Sequence, residues 1–137
     1  MGPSPELAAT LKLARGARLA TADNLRLHDD VPVMLDRLWF RLDVFPTLGS
    51  RDVQGTARSI YGFYQEHFGI SVVRVVEDLG GAAADEEVAR ALNIEVGAPV
   101  LRIERTAFTF KDQPVEFRVR FVDSSRCSYR YVRGLQD

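Results

Sequence analysis

The chain has 137 residues, of which 46% are hydrophobic and 27% are charged, a balance typical of one globular domain with its own core. The 18 Lys and Arg side chains against 19 Asp and Glu give a net charge of −1. The chain therefore lacks the overall basic excess of a nucleic-acid-binding domain. One cysteine excludes an internal disulfide, and we expect a reducing, cytoplasmic setting. No apolar run reaches the ~20 residues of a membrane-spanning helix, so no membrane partner is expected.

The first half of the chain predicts two helices and two strands after a short leader. Residues 1–5 are typical of a flexible leader, and residues 6–137 form the predicted domain. A helix starts after Pro5, because proline fits a first helical turn. The predicted elements are a helix at 6–13, strands at 17–27 and 33–42, and a helix at 53–68 with apolar residues at helical spacing.

The second half predicts four strands and one helix. A strand at 71–78 is expected to end before Gly80-Gly81, because paired glycines favour a break. The remaining predicted elements are a helix at 84–92, strands at 100–110 and 115–122 joined by a tight turn, and a last strand at 127–132.

An internal repeat relates the residues after Glu6 to those after Glu87. The aligned pairs are Glu6 and Glu87, Leu11 and Leu92, Gly16 and Gly97, and, after a one-residue slip, Asp30 and Asp112, and Pro32 and Pro114. Each copy predicts a helix, a glycine turn and a hairpin, units that are marginal alone. We therefore expect an α+β fold, pseudo-duplicated, with a mainly antiparallel sheet, helices on one face and a ligand cleft. Chance similarity is the alternative.

No motif of catalysis, phosphate binding or metal binding is present. The chain contains no Gly-x-Gly-x-x-Gly, no phosphate loop and no Gly-x-Ser-x-Gly elbow. His28 and His67 do not have metal-ligand spacing, and Cys127 has no neighbouring histidine. We expect no catalytic residue, no cofactor and no metal.

Four segments, in this order and spacing, resemble the UTRA domain, the effector-binding half of HutC-type regulators of the GntR family. They are Ser59–Tyr61, Glu66–Ile70, Gly97–Thr106 and Asp112–Glu116. The resemblance covers about residues 6–132. It implies a chorismate-lyase-like (UTRA) fold, a small anionic metabolite as effector, and a homodimer. It also implies DNA binding only through a winged helix-turn-helix that we expect to precede this segment in the full-length repressor.

The resemblance also assigns effector contacts, position by position: Arg26, Asp36, Arg37, Ser59 and Glu116. A guanidinium can grip a phosphate or carboxylate with two hydrogen bonds, and carboxylates can accept from hydroxyls or amines. Asn24 and Val122 depart from the family pattern.

Alternatives remain open for these residues. Arg26 is otherwise a surface residue, Ser59 a helix cap, and Asp36 and Glu116 partners of cross-strand arginines. Arg118 and Arg120 are expected to be solvated, and Arg105 to form a structural ion pair. Two rival functions also remain: a degenerate structural dimerisation domain with a filled interior, or a chorismate-lyase-like enzyme using Glu116 and Arg105.

Overall fold

A computed structural model describes residues 5–48 and 60–134 as an α+β fold built on one antiparallel sheet. The helices are α1 (Pro5–Thr10), α2 (Ile60–Phe68) and α3 (Glu86–Leu92). The strands are β1 (Leu19–His28), β2 (Val31–Arg41), β3 (Arg74–Ala83), β4 (Pro99–Thr109) and β5 (Gln113–Val122), with a short 3-10 turn at Phe110–Asp112. The five strands lie in the order β1-β2-β5-β4-β3, which confirms the predicted antiparallel sheet.

The two sequence repeats are related by approximate two-fold symmetry about the junction of β2 and β5. Asp36 pairs with Arg120 and Leu38 pairs with Arg118 in this register. In the repeat alignment Asp36 is the counterpart of Arg118, and Leu38 is the counterpart of Arg120. The two pairs therefore exchange places when the strands are exchanged, as a two-fold axis requires.

The turns of the two sequence repeats adopt the same backbone conformations. The matched left-handed residues are Lys12 (φ 51°) with Asn93 (φ 56°), Gly16 (φ 80°) with Gly97 (φ 89°), Asp29 (φ 49°) with Lys111 (φ 61°), and Asp30 (φ 64°) with Asp112 (φ 55°). A register shift also falls at the same place in each hairpin, between residues 26 and 27 and between residues 107 and 108. Because non-glycine residues rarely adopt positive φ, these matches are specific to the repeat.

The helices cover both faces of the sheet. The helix of each repeat packs on the central strand of the other, α3 on β2 and α1 on β5, so these two share one face, as the repeat predicts. We call this side, which carries Leu35, Arg37 and Trp39, the repeat-helix face. The connecting helix α2 lies on the opposite side, where Tyr64 contacts Phe40. We call that side the α2 face.

An aromatic core holds α2 to the sheet. The fully buried rings of Phe40, Phe45 and Tyr64 contact one another, with centroids of Phe45 and Tyr64 4.4 Å apart. Such pairs stabilise a core by about 0.5–1.5 kcal/mol beyond the burial of their area. Gly69, at φ 65°, ends α2 where the sequence predicted a stop.

Three sequence predictions need correction. The break at Gly80-Gly81 is wrong, because both residues lie inside β3 and pair with β4, whose hydrogen bonds outweigh the weak strand propensity of glycine. The strand at 127–132 is wrong, because a turn in which Asp123 accepts from the backbone N–H groups of Arg126 and Cys127 directs the chain away from the sheet. The first helix ends at Thr10, because Lys12 is left-handed.

The predicted helical residues 53–59 lie outside the residues that the structure describes. Within residues 5–48 and 60–134, no helix is long and apolar enough to cross a membrane.

The β1–β2 turn gives a stability test. Asp29 and Asp30 both have positive φ, a backbone conformation that is strained for residues other than glycine. We expect Asp30→Gly to raise the free energy of unfolding in urea by about 0.5–1 kcal/mol. Asp23→Gly, inside extended β1, is the control and should lower it. A loss of stability in Asp30→Gly would contradict the turn geometry.

Candidate functional site

A buried ion pair joins the two central strands on the α2 face. Asp36, 2% exposed, accepts hydrogen bonds from Arg120 Nε at 2.6 Å and Nη2 at 2.9 Å. The two parallel hydrogen bonds fix the arginine in one orientation, as expected for a bidentate pair.

A second ion pair lies beside it. Glu116 is fully buried. Its Oε1 accepts a hydrogen bond from Arg118 Nε at 3.0 Å, and its Oε2 accepts one from the hydroxyl of Tyr64. Burial, together with the neighbouring carboxylate, raises the pKa of Tyr64 above its usual range, so the hydroxyl keeps its proton. Burial by itself would lower the pKa of Arg118, but the nearby carboxylates of Glu116 and Asp36 and the two tyrosines of α2 together outweigh it, so the net pKa is raised. Arg118 therefore keeps its positive charge although it is buried.

A third pair extends the cluster to the edge strand. Arg105 donates from Nε to Glu77 at 2.8 Å, and Tyr129 donates to the same carboxylate at 2.6 Å. Burial alone raises the pKa of Glu77, but these hydrogen bonds from Tyr129 and Arg105 lower it below its ordinary value. Arg105 also donates to the hydroxyl of Tyr61 at 3.4 Å, which ties α2 to β4.

The three pairs form one charged cluster between the sheet and α2. Three arginines face three carboxylates, and a buried charge is tolerated only when it is paired in this way. One donor of these pairs makes no hydrogen bond. Arg118 Nη2 lies 2.9 Å from Glu116 Oε1, but the angles are outside hydrogen-bond geometry, and this nitrogen has no other hydrogen-bond partner among the described residues. We call this set of six residues the charged cluster.

An open cavity of about 480 Å³ adjoins the charged cluster at the turn end of β1 and β2. Its lining is Arg26, Leu27, His28, Val33, Met34, Arg120, Arg126 and Cys127. The lining includes three arginines and no carboxylate, and Arg120 and Arg126 are paired with Asp36 and Asp123, which lie outside the lining. Arg26 is exposed and forms no ion pair within the described part of the chain.

The five residues predicted to contact an effector are only partly brought together. Arg26 borders the cavity, Asp36 lies behind it through Arg120, and Glu116 lies deeper in the charged cluster. Arg37 is on the repeat-helix face, where Nη2 lies 2.8 Å from Glu87 Oε1. Ser59 lies outside the described residues, one position before α2.

Sequence reasoning missed the arginines of the charged cluster. Arg118 is 6% exposed and Arg120 has a side chain 12% exposed, so the expectation that both are solvated was wrong. Arg105 forms the structural ion pair that the sequence favoured, and its partner is Glu77, because residues 77 and 105 are cross-strand partners. The available signal was the run of charged residues on alternate positions of β5, which a strand covered by a helix buries together.

No group of three or more His, Cys, Asp and Glu side chains that could hold a metal ion is found in the described ranges.

The model of the UTRA domain family matches residues 1–128. The chain belongs to the UTRA domain family. It is the effector-binding domain of a GntR-family transcriptional regulator, and its α+β sheet fold is the UTRA fold.

Curated relatives of this UTRA domain are transcriptional regulators and not enzymes, as the sequence predicted. The chain is 32% identical over 98 residues to the "Probable fructoselysine utilization operon transcriptional repressor" of Escherichia coli strain K12, covering 72% of the chain and 40% of that protein. It is 30% identical over 103 residues to the "HTH-type transcriptional repressor NagR" of Bacillus subtilis, covering 75% of the chain and 41% of the relative. The chain thus spans less than half the length of these relatives.

Solved structures agree with this fold. The chain superposes on a ligand-binding domain from Bordetella bronchiseptica, assigned to the GntR family, with a TM-score of 0.87 and 29% identity, covering 99% of this chain and 84% of that one. It also superposes on the effector domain of PhnF from Mycobacterium smegmatis with a TM-score of 0.83 and 20% identity, covering 98% and 82% of the two chains.

The charged cluster predicts a large penalty for removing one partner. In Glu116→Ala, Arg118 becomes a buried charge without its carboxylate, and we expect the free energy of unfolding to fall by about 3–5 kcal/mol. Asp43→Ala is the matched control, because Asp43 pairs with Arg41 at the surface with 56% of its side chain exposed, and should cost less than about 1 kcal/mol. Urea denaturation measures both. Equal losses would contradict the structural role of Glu116.

Proposed function

We propose that this UTRA domain binds a small anionic metabolite in the cavity bordered by Arg26, Arg120 and Arg126. The observation that carries the proposal is the grouping of three arginines around about 480 Å³ of space, of which Arg26 has no carboxylate partner among the described residues. This volume lies within the range of about 300–1,000 Å³ that is typical of small-molecule sites. Phosphate and carboxylate are the anions that guanidinium groups bind best.

The two kinds of arginine would contribute differently. Arg120 is held in place by Asp36, so its position is fixed before a ligand arrives, and preorganisation reduces the entropy lost on binding. Arg26, exposed on β1, would close on the anion from the other side. Asp36 and Glu116 would act as positioning residues for Arg120 and Arg118, while Ser59, next to the start of α2, is proposed to add a hydroxyl. Arg37 is on the opposite sheet face, and contact with the same ligand would need a rearrangement.

We also propose the wider context that the relatives suggest. The full protein would be a HutC-type repressor that carries a winged helix-turn-helix and acts on DNA as a homodimer in the cytoplasm. An effector that contacts both hairpins of the sheet would change DNA binding by moving the two heads of the dimer.

Removal of Arg26 tests the effector site. We expect orthophosphate and a panel of phosphorylated and carboxylated metabolites to raise the melting temperature of the wild-type domain. A ligand at a hundred times its Kd adds about 2.7 kcal/mol. Arg26→Ala should weaken the affinity for the best ligand by about tenfold or more, because a charge-assisted contact is lost.

The control is Arg15→Ala, which removes an exposed arginine that does not line the cavity. Circular dichroism should show the wild-type fold in both variants. Equal affinities in Arg26→Ala and wild type would remove Arg26 from the site. No stabilisation by any anion would favour the degenerate dimerisation domain.

The edge strand β3 is the proposed dimer surface. Its outer edge has no partner among the described strands, and it exposes Val75, Val76 and Leu79. A long apolar edge without a partner favours aggregation, so a second copy is the simplest cover for it. We expect Leu79→Lys to convert a dimer to a monomer in light scattering after gel filtration. Leu25→Lys, on the opposite edge strand β1, should leave the dimer intact. A monomeric wild-type domain at micromolar concentration would contradict the proposal.

A further inference from the structure

A second cavity, of about 330 Å³, lies on the repeat-helix face between α1 and the sheet. Trp39 and Phe117 form one wall, with ring centroids 5.7 Å apart, and Val119 lies beside them. Glu6 of α1 and Glu104 of β4 border the opening. The cavity is on the opposite side of the sheet from the charged cluster, so it is separate from the proposed effector site.

The internal repeat shows what fills the equivalent place in the other half. There, Arg37 lies at the centre, with Nη2 2.8 Å from Glu87 Oε1 and its guanidinium carbon 5.7 Å from the centroid of Phe121. Asp23 is the cross-strand partner of Arg37. That half therefore holds a guanidinium beside the carboxylate of Glu87 and near an aromatic ring, on a strand residue whose cross-strand neighbour is Asp23.

Similar surroundings occur at the α1 end, but no arginine stands at the position equivalent to Arg37. In the repeat alignment, Glu6 corresponds to Glu87, and Glu104, the cross-strand partner of Val119, corresponds to Asp23. Trp39 corresponds to Phe121. Val119 takes the place of Arg37, and the space that the longer side chain would occupy is open.

The charges at this end are left unbalanced. Arg102 donates to Glu104 and neutralises it. The carboxylate of Glu6 makes no ion pair with any described residue, so the cavity lining has one negative charge in excess. An aromatic face and an unpaired carboxylate together favour an organic cation, because the ring quadrupole and the carboxylate both attract positive charge.

We propose that this cavity binds a guanidinium or primary ammonium group on a short apolar stem. The charged head would take the position that Arg37 has in the other half, against Glu6, and the stem would lie on Trp39 and Phe117. The group could come from a free small molecule or from an arginine or lysine side chain of a polypeptide, since both have the same chemistry.

The tryptophan in the wall gives a direct readout, because it is the chain's single tryptophan. We expect n-butylguanidinium to change the fluorescence of Trp39 saturably in the wild-type domain. The neutral isostere n-butylurea should give no saturable change at the same concentrations. A tripeptide with blocked ends and a central arginine tests the polypeptide source, and the tighter of the two cationic probes identifies the source.

Two variants test the mechanism through different residues. Val119→Arg installs the missing arginine, which should pair with Glu6, fill the cavity and abolish the fluorescence response. Glu6→Gln keeps the shape but removes the charge, and should raise the Kd about tenfold. Glu6 is exposed at the surface, so this variant keeps the test valid if Val119→Arg does not fold. An equal response to n-butylurea, or wild-type affinity in Glu6→Gln, would overturn the proposal.

Discussion

The pairing of β2 with β5, which the buried ion pair Asp36–Arg120 crosses, is the constraint on which the rest of this UTRA domain depends. These two strands join the halves of the repeat, and Asp36–Arg120 and Glu116–Arg118 lie at their junction. A register slip of one residue would turn these charges to the other face and expose apolar side chains. The cross-strand pair Asp36–Arg120 therefore favours one alignment of the two halves, although a buried ion pair is by itself weak support for stability.

Symmetry of the backbone and asymmetry of the side chains have separate consequences. Matching turns and bulges give both halves the same frame. Different residues then occupy equivalent places: Arg37 fills on one side the space that Val119 leaves open on the other. A duplicated fold can in this way carry the proposed anion site on one face and the proposed cation site on the other, without any change in topology.

The helices explain why the two faces differ chemically. The repeat helices α1 and α3 are short and cover their face incompletely, whereas α2 contributes Tyr61 and Tyr64 above the charged cluster. Tyrosine suits this position because its ring packs against Phe45 while its hydroxyl meets a buried carboxylate. The connecting helix, which the repeat does not include, thus supplies hydrogen-bond partners to Glu116 and Arg105 of the charged cluster.

The sequence by itself determined the repeat, the antiparallel hairpins and the family, because these follow from local signals: turn residues with positive φ, two-residue alternation and ordered motifs. It also selected Asp36 and Glu116 as special carboxylates, but it could not assign their partners. Arg120 meets Asp36 only through strand register, and the pairing of Glu116 with Arg118 on the same strand depends on the cover of α2. Only the tertiary structure decided that Arg37 points to the opposite face, that β3 runs through Gly80-Gly81, and that residues 127–132 leave the sheet. Those outcomes depend on neighbours distant in the chain, whose hydrogen bonds and packing outweigh local propensity.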